Sequence, residues 1–176
     1  RSVARGDVAA FLVQPAAGYH LLEITGCGGQ YSADTGLFTT GVITGACTLS
    51  VGFEINQYEL SYGAGANGSL SGAAVQRVAH GGDGAPVTAV AASGYHFVQW
   101  SDGDTANPRQ DLALSGDLTV TASFAINQYS LTYAAGANGS LSGQTSQQVD
   151  HGQNGSAVLA VPDTGYHFVL WSDLNV

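Results

Sequence analysis

The chain has 176 residues, a net charge of −9 and only 10% charged side chains; it has no lysine, and its four arginines are Arg1, Arg5, Arg77 and Arg109. Gripping a polyanion takes clustered Lys and Arg to displace counterions, so nucleic-acid and anionic-membrane binding are excluded as roles. A composition 44% hydrophobic with 25 glycines argues against disorder and for short strands joined by tight turns, while no apolar run approaches the roughly 20 residues of a membrane helix.

In chain order, the first 56 residues carry Val3-Ala4-Arg5-Gly6, Gly18-Tyr19-His20 and the only two cysteines, Cys27 and Cys47. Tyr58, Leu60 and Tyr62 then alternate with Gln57, Glu59 and Ser61, which places one apolar face on a strand. Asn67-Gly68 supplies the positive φ angles of a tight hairpin turn, with a returning strand expected from Ser69 to Ser71. Gln76–Ala79 reads as a short third strand ending at the glycine-rich turn His80–Gly84. Pro86–Ala92 and His96–Trp100 read as two more strands, parted by Ser93-Gly94, and Asp102-Gly103 marks another turn. Leu118–Phe124 alternates without a break and is the clearest strand. Leu112–Leu114 is too short for more than a turn of helix or an edge strand, and no segment shows sustained helical spacing with caps.

These elements recur. Gln57-Tyr58 and the run Ala64–Gly72 return 71 positions later as Gln128-Tyr129 and Ala135–Gly143. The same step takes His80 to His151, Gly94-Tyr95-His96-Phe97-Val98 to Gly165-Tyr166-His167-Phe168-Val169, and Trp100-Ser101-Asp102 to Trp171-Ser172-Asp173. The leading residues fit the frame as well, since Val3–Gly6 resembles Val78–Gly81 and Gly18-Tyr19-His20 resembles Gly94-Tyr95-His96. Three copies follow: residues 1–56, lacking the first strands; residues 57–127, complete; and residues 128–176, lacking the last strands. The chain is expected to be a stretch of a longer array. Ile55-Asn56-Gln57 and Ile126-Asn127-Gln128 join successive copies with no Pro/Ser-rich spacer, so neighbouring copies are expected to sit close together. The expected fold class is all-β: tandem small β units, sandwich or β-grasp-like, as beads in a row.

The run Tyr129-x-Leu-x-Tyr, Ala137-Asn138-Gly139, Gly-Tyr-His-Phe-x-x-Trp-Ser-Asp, Asn107-Pro108-Arg109 and the closing strand to Phe124 resembles the divergent internalin B-repeat family. The leading copy, with Gly18-Tyr19-His20, Gly26-Cys27-Gly28-Gly29 and Cys47, is similar to a cysteine-bearing variant of that repeat. The resemblance implies a β-grasp-like module repeated on secreted and cell-surface bacterial proteins, acting as stalk, spacer or adhesive segment. It brings no catalytic residues.

The two cysteines can form a disulfide, remain free buried thiols or serve a metal. Metal sites call for Cys-x-x-Cys pairs or nearby histidines, and neither is visible. In the copy frame Cys27 falls near Gly103, Cys47 takes the place of Leu118, and Ile24 stands where the middle copy has Trp100. A copy without its indole gains a covalent tie between the same loop and strand, so a Cys27–Cys47 disulfide is the preferred reading, and with it an oxidising compartment, extracellular or at the cell surface.

The five histidines recur at two copy positions, His20, His96 and His167 at one and His80 and His151 at the other, which is the pattern of packing or turn residues rather than catalysis or metal binding. Asp102, Asp104, Asn107 and Asp111 form an oxygen-rich group that calcium would favour, but Arg109 lies among them, and a structural ion pair with Asp102 or Asp111 is preferred. Tyr58, Tyr95, Phe97, Trp100, Phe124, Tyr166, Phe168 and Trp171 alternate within strands as core aromatics, against the rival reading of a sugar-stacking platform. The Asn-Gly-Ser triplets at Asn67, Asn138 and Asn154 match a glycosylation pattern but read better as turns. No catalytic, metal or cofactor residues are expected, and so no enzyme. The expected partners are other copies or domains of the parent protein and a surface protein or glycan, with no nucleic acid and no membrane insertion. The leading function is a non-catalytic stalk, spacer or adhesive array. A carbohydrate-binding module of a secreted hydrolase and a fibre protomer completed by strand donation are the alternatives.

Overall fold

The computed structural model describes residues 2–172 and is all-β, built from small tandem β units, with no helix among the described residues. Arg1 and Asp173 lie outside that range. The strands are β1 (Ala10–Leu12), β2 (Tyr19–Thr25), β3 (Gln30–Ser32), β4 (Leu37–Thr39), β5 (Ser50–Ile55), β6 (Gln57–Ala64), β7 (Gly68–Ser71) and β8 (Val75–Ala79). They continue as β9 (Thr88–Ala91), β10 (Tyr95–Trp100), β11 (Leu118–Ile126), β12 (Gln128–Thr132), β13 (Gly139–Ser142), β14 (Ser146–Asp150) and β15 (Leu159–Pro162). Contacts divide the chain into two compact units, one of Arg1–Gly63, Gly72–Thr88 and Asn107–Val120, the other of Ala64–Ser71, Ala89–Ala106 and Thr121–Val176.

In the first unit, β4 lies between β1 and β3 in an antiparallel sheet. Phe11, Phe38 and Tyr31 share one register row, and Phe38 is buried together with Ala9 and Val13. The buried Thr40 hydroxyl accepts a hydrogen bond from the Ala9 amide at 2.9 Å, so its polar atom is satisfied. β2 and β5 pair antiparallel, with a bulge between Leu21 and Glu23. β6 pairs antiparallel with β8. The alternation along β6 works as it should, with Leu60 and Tyr62 buried beside Val87, Leu114 and Val120 among the core residues of the same unit.

In the second unit, β10 and β11 repeat the β2–β5 pairing. Tyr95 faces Ile126 and Phe97 faces Phe124, as Tyr19 faces Ile55 and Leu21 faces Phe53, and the bulge falls at the equivalent place, between Phe97 and Gln99. Trp100 is fully buried, with Ala89 and Ala122 also in the core. The trailing copy contributes the antiparallel pairs β12–β14 and β13–β15.

One expectation fails. Asn67 does take a left-handed φ of 66°, but β7 does not return along β6. β7 pairs with β9, and the Asn67 carbonyl accepts the Ala92 amide at 2.9 Å. The physical reason is that both edges of β6 are already occupied, by β8 and β11. A strand has only two edges, so the turn hands the chain to a new pair instead of closing a hairpin.

Candidate functional site

Three constellations bring together chemically active side chains. The first is the Cys27–Cys47 disulfide, which spans 20 residues with the two Cα atoms 5.3 Å apart. Cys27 sits at φ 51° in the turn after β2, and its carbonyl accepts the Gly41 amide at 3.0 Å. The bridge therefore ties the turn following β2 to the segment that enters β5.

The second is centred on Arg109, which is 4% exposed. Its Nε and Nη2 donate to the two Asp111 carboxylate oxygens at 2.9 and 2.7 Å, a bidentate fork. The Tyr62 hydroxyl donates to the same carboxylate at 2.7 Å. Burial, and next the bond to Asp111, push the Tyr62 phenol well above its ordinary range, against a smaller opposing pull from Arg109. The backbone of Arg109 exchanges two hydrogen bonds with Val87, Gln110 Nε2 donates to the Gly84 carbonyl, and the Ala113 amide donates to Asp83. The group works as a lock on residues 107–114. In the turn after β10 the Asp102 carboxylate accepts the Asp104 amide, and Asp104 accepts the Ala106 amide. That turn wraps the indole, since the Trp100 Nε1–H donates to the Ala106 carbonyl at 2.9 Å. Among the described residues no three His, Cys, Asp or Glu side chains are grouped to hold a metal ion.

The aromatic set divides by copy. In the second unit Phe97 packs on Trp100 and edge-on to Phe124, while Tyr95 is half-buried. Trp171 is met by Phe168 and Tyr133, yet Tyr166 and Phe168 are exposed. Tyr58 is half-buried against His80.

The third constellation is the joint between copies, and it is built twice. In the first unit the Asn56 amide donates to the Gly18 carbonyl and the His80 amide donates to the Asn56 carbonyl, both at 2.8 Å. The Asn56 side-chain oxygen can only accept, so His20 carries its proton on Nδ1 and donates at 2.8 Å. Tyr58 packs against the His80 ring with centroids 6.0 Å apart. In the second unit Asn127, Gly94 and His151 make the same two backbone bonds at the same lengths. His96 donates to Asn127 at 2.9 Å, and Tyr129 packs on His151 at 6.1 Å. Gly18 and Gly94 hold φ of 78° and 82°, and a Cβ at either would run into the imidazole of His80 or His151. Glycine is required there twice over, by conformation and by contact.

Each joint thus takes its glycine and one histidine from one copy and its second histidine and tyrosine from the next. Those residues recur visibly along the sequence, whereas their meeting across the copy boundary is a feature of the fold. The signal was present: Gly-Tyr-His, Ile-Asn-Gln and the later histidine keep their identities while neighbouring positions drift.

A family model described as the divergent InlB B-repeat domain matches residues 58–128 and, again, residues 129–176. Neither a curated protein nor a solved structure matches the chain. Among the described residues no helix is long and apolar enough to cross a membrane.

Proposed function

The chain belongs to the divergent InlB B-repeat family, and we propose that it serves as a non-catalytic, extracellular spacer that holds a partner domain or adhesive surface at a set reach from a bacterial cell. The observation that carries this reading is the twice-built joint. Where modules are linked by flexible spacers, few contacts cross the boundary and motion between them is the default. Here the linker asparagine is bonded on both sides through its backbone and again through its side chain, in both joints. A segment made this way transmits position from one copy to the next. The disulfide supports an oxidising, extracellular setting. The parent protein's other domains are the expected partners, and the lysine-free, acidic composition keeps the segment soluble and poor in sites for basic-specific proteases.

Amide hydrogen exchange tests the reading at the joints themselves. The amides of Asn56, His80, Asn127 and His151 are expected to exchange as slowly as those in the middle of β6 and β11. Exchange at the rate of an open loop would mean that the joints are hinges and that the segment cannot set a reach.

A further inference from the structure

The two joints share a framework but differ in what surrounds it. Beside the first lies an open hollow of about 510 Å³, lined among others by His20, Glu54, Asn56, Tyr58, Arg77 and Asp117. Three of these are framework, because His96, Asn127 and Tyr129 stand at the same places in the second joint. Two of the charged members, Glu54 and Arg77, are not. At the positions of Glu54 and Arg77 the next copy has Ala125 and Gln148. The scaffold keeps its structural residues, and these two charges set the first joint apart from the second.

We propose that the hollow at the first joint is a binding site for a neutral, hydroxyl-rich saccharide. Planar hydrogen-bonding groups of both polarities face it. The Glu54 carboxylate makes only a long 3.8 Å approach to His20 Nε2, and both side chains are more than half exposed. Asp117 spends one oxygen on the Glu59 amide at 2.8 Å and keeps the other. Arg77 stands opposite Glu59 in the β6–β8 register, and among the described residues no hydrogen bond or ion pair engages its guanidinium.

A guanidinium donates two parallel hydrogen bonds and a carboxylate accepts two, which is the pattern that adjacent sugar hydroxyls satisfy, since each both donates and accepts. The Tyr58 ring supplies an apolar wall for the C–H face of a sugar ring. A peptide side chain would ask for more apolar lining than Ile55 and Tyr58 provide. A metal ion would ask for a third close ligand, and none is grouped there among the described residues. Two carboxylates against one guanidinium disfavour an acidic sugar by like-charge repulsion. The inference goes beyond the spacer role, which the exchange experiment judges separately.

The test is a titration of the isotope-labelled chain with cellobiose, with N,N′-diacetylchitobiose and with digalacturonate, followed by amide chemical shifts. One of the neutral disaccharides is expected to give saturable shifts at Asn56, Gln57, Tyr58 and Arg77 and none at Asn127, Gln128 and Tyr129. The double variant Glu54→Ala/Arg77→Gln gives the first joint the residues of the second, and it is expected to weaken binding at least tenfold with its spectrum still dispersed. Asp117→Asn keeps the shape and the bond to Glu59, and weakens binding several-fold; it decides the matter if the double variant does not fold. Absence of saturable shifts with both neutral sugars, equal shifts at the second joint, tighter binding of digalacturonate, or undiminished binding by the folded variants would each overturn the proposal.

Discussion

The leading and middle copies contain the same strand pair, yet they secure its far end by different means. β2–β5 and β10–β11 agree in register, in the place of the bulge and in the asparagine that follows. Where the middle copy has Trp100, fully buried and bonded through its indole N–H, the leading copy has Ile24, half-buried, and a disulfide three residues on. Backbone pairing therefore sets the geometry of the sheet, and whatever ties down the loop at its end is interchangeable. Packing of a large ring and a covalent cross-link are two solutions to one problem: small β units bury too little surface to hold their loops by chance contacts.

The largest effect expected from this comparison comes from removing each solution in turn. Trp100→Ala empties the core of the second unit and should cost about 3–5 kcal/mol, the range for buried aromatic truncations, read by urea unfolding with Trp171 as the remaining fluorophore. Ile24→Ala, at the matching place but half-buried, should cost about 1–2 kcal/mol. Equal costs at the two positions would show that Ile24 and Trp100 do the same job and that the disulfide adds nothing.

Next in size is the cross-link. Closing a loop of 20 residues should stabilise the first unit by about 3 kcal/mol in the chain-entropy account. Cys27→Ser/Cys47→Ser, or reduction of the wild type, is expected to lower its denaturation midpoint accordingly, followed by tyrosine signals of the leading copy. A change below about 1 kcal/mol would place the stability of this loop in packing instead, and the contrast between the copies would lose its basis.

How far these features could be read from the sequence depends on the distance over which each is decided. The face of β6 was legible because alternation is local, and Leu60 and Tyr62 are buried as that pattern requires. The frame of copies was legible because Gly-Tyr-His and Trp-Ser-Asp return in step. The partner of β7 was not, since a turn residue such as Asn67 announces only a change of direction; which edge receives the strand depends on β8 and β11 having filled β6 first. The joints were half legible. Recurrence marked Gly18, His20, Asn56 and His80 as structural, but nothing in one copy says that its glycine will face the histidine of the next. Alternation marks Tyr62 as a strand residue, but its hydroxyl contact to Asp111, 49 positions away, has no sequence signature.

That contact gives the smallest expected effect and separates the lock of the middle copy from the covalent one. Tyr62 in the folded chain holds its proton to higher pH than an ordinary phenol, by burial first and by its bond to Asp111 second. Below the usual tyrosine value near 10 it is protonated whether folded or not, so the stabilisation is complete there. As pH rises past that value the unfolded chain gives up the proton while the folded chain keeps it, the unfolded state binds fewer protons, and stability falls. Tyr62→Phe removes this slope along with one hydrogen bond to a charged group, about 1–2 kcal/mol at neutral pH. Unfolding midpoints of wild type and variant between pH 8 and 11 are therefore expected to converge as pH rises (roughly the span around the ordinary phenol value). The disulfide-free variant has lost no titrating group in that lock, so its deficit against wild type should keep a constant size over the same span. Parallel curves for Tyr62→Phe and wild type would mean that neither burial nor Asp111 holds the Tyr62 proton in the folded chain, and the lock of the middle copy would then rest on Arg109 alone.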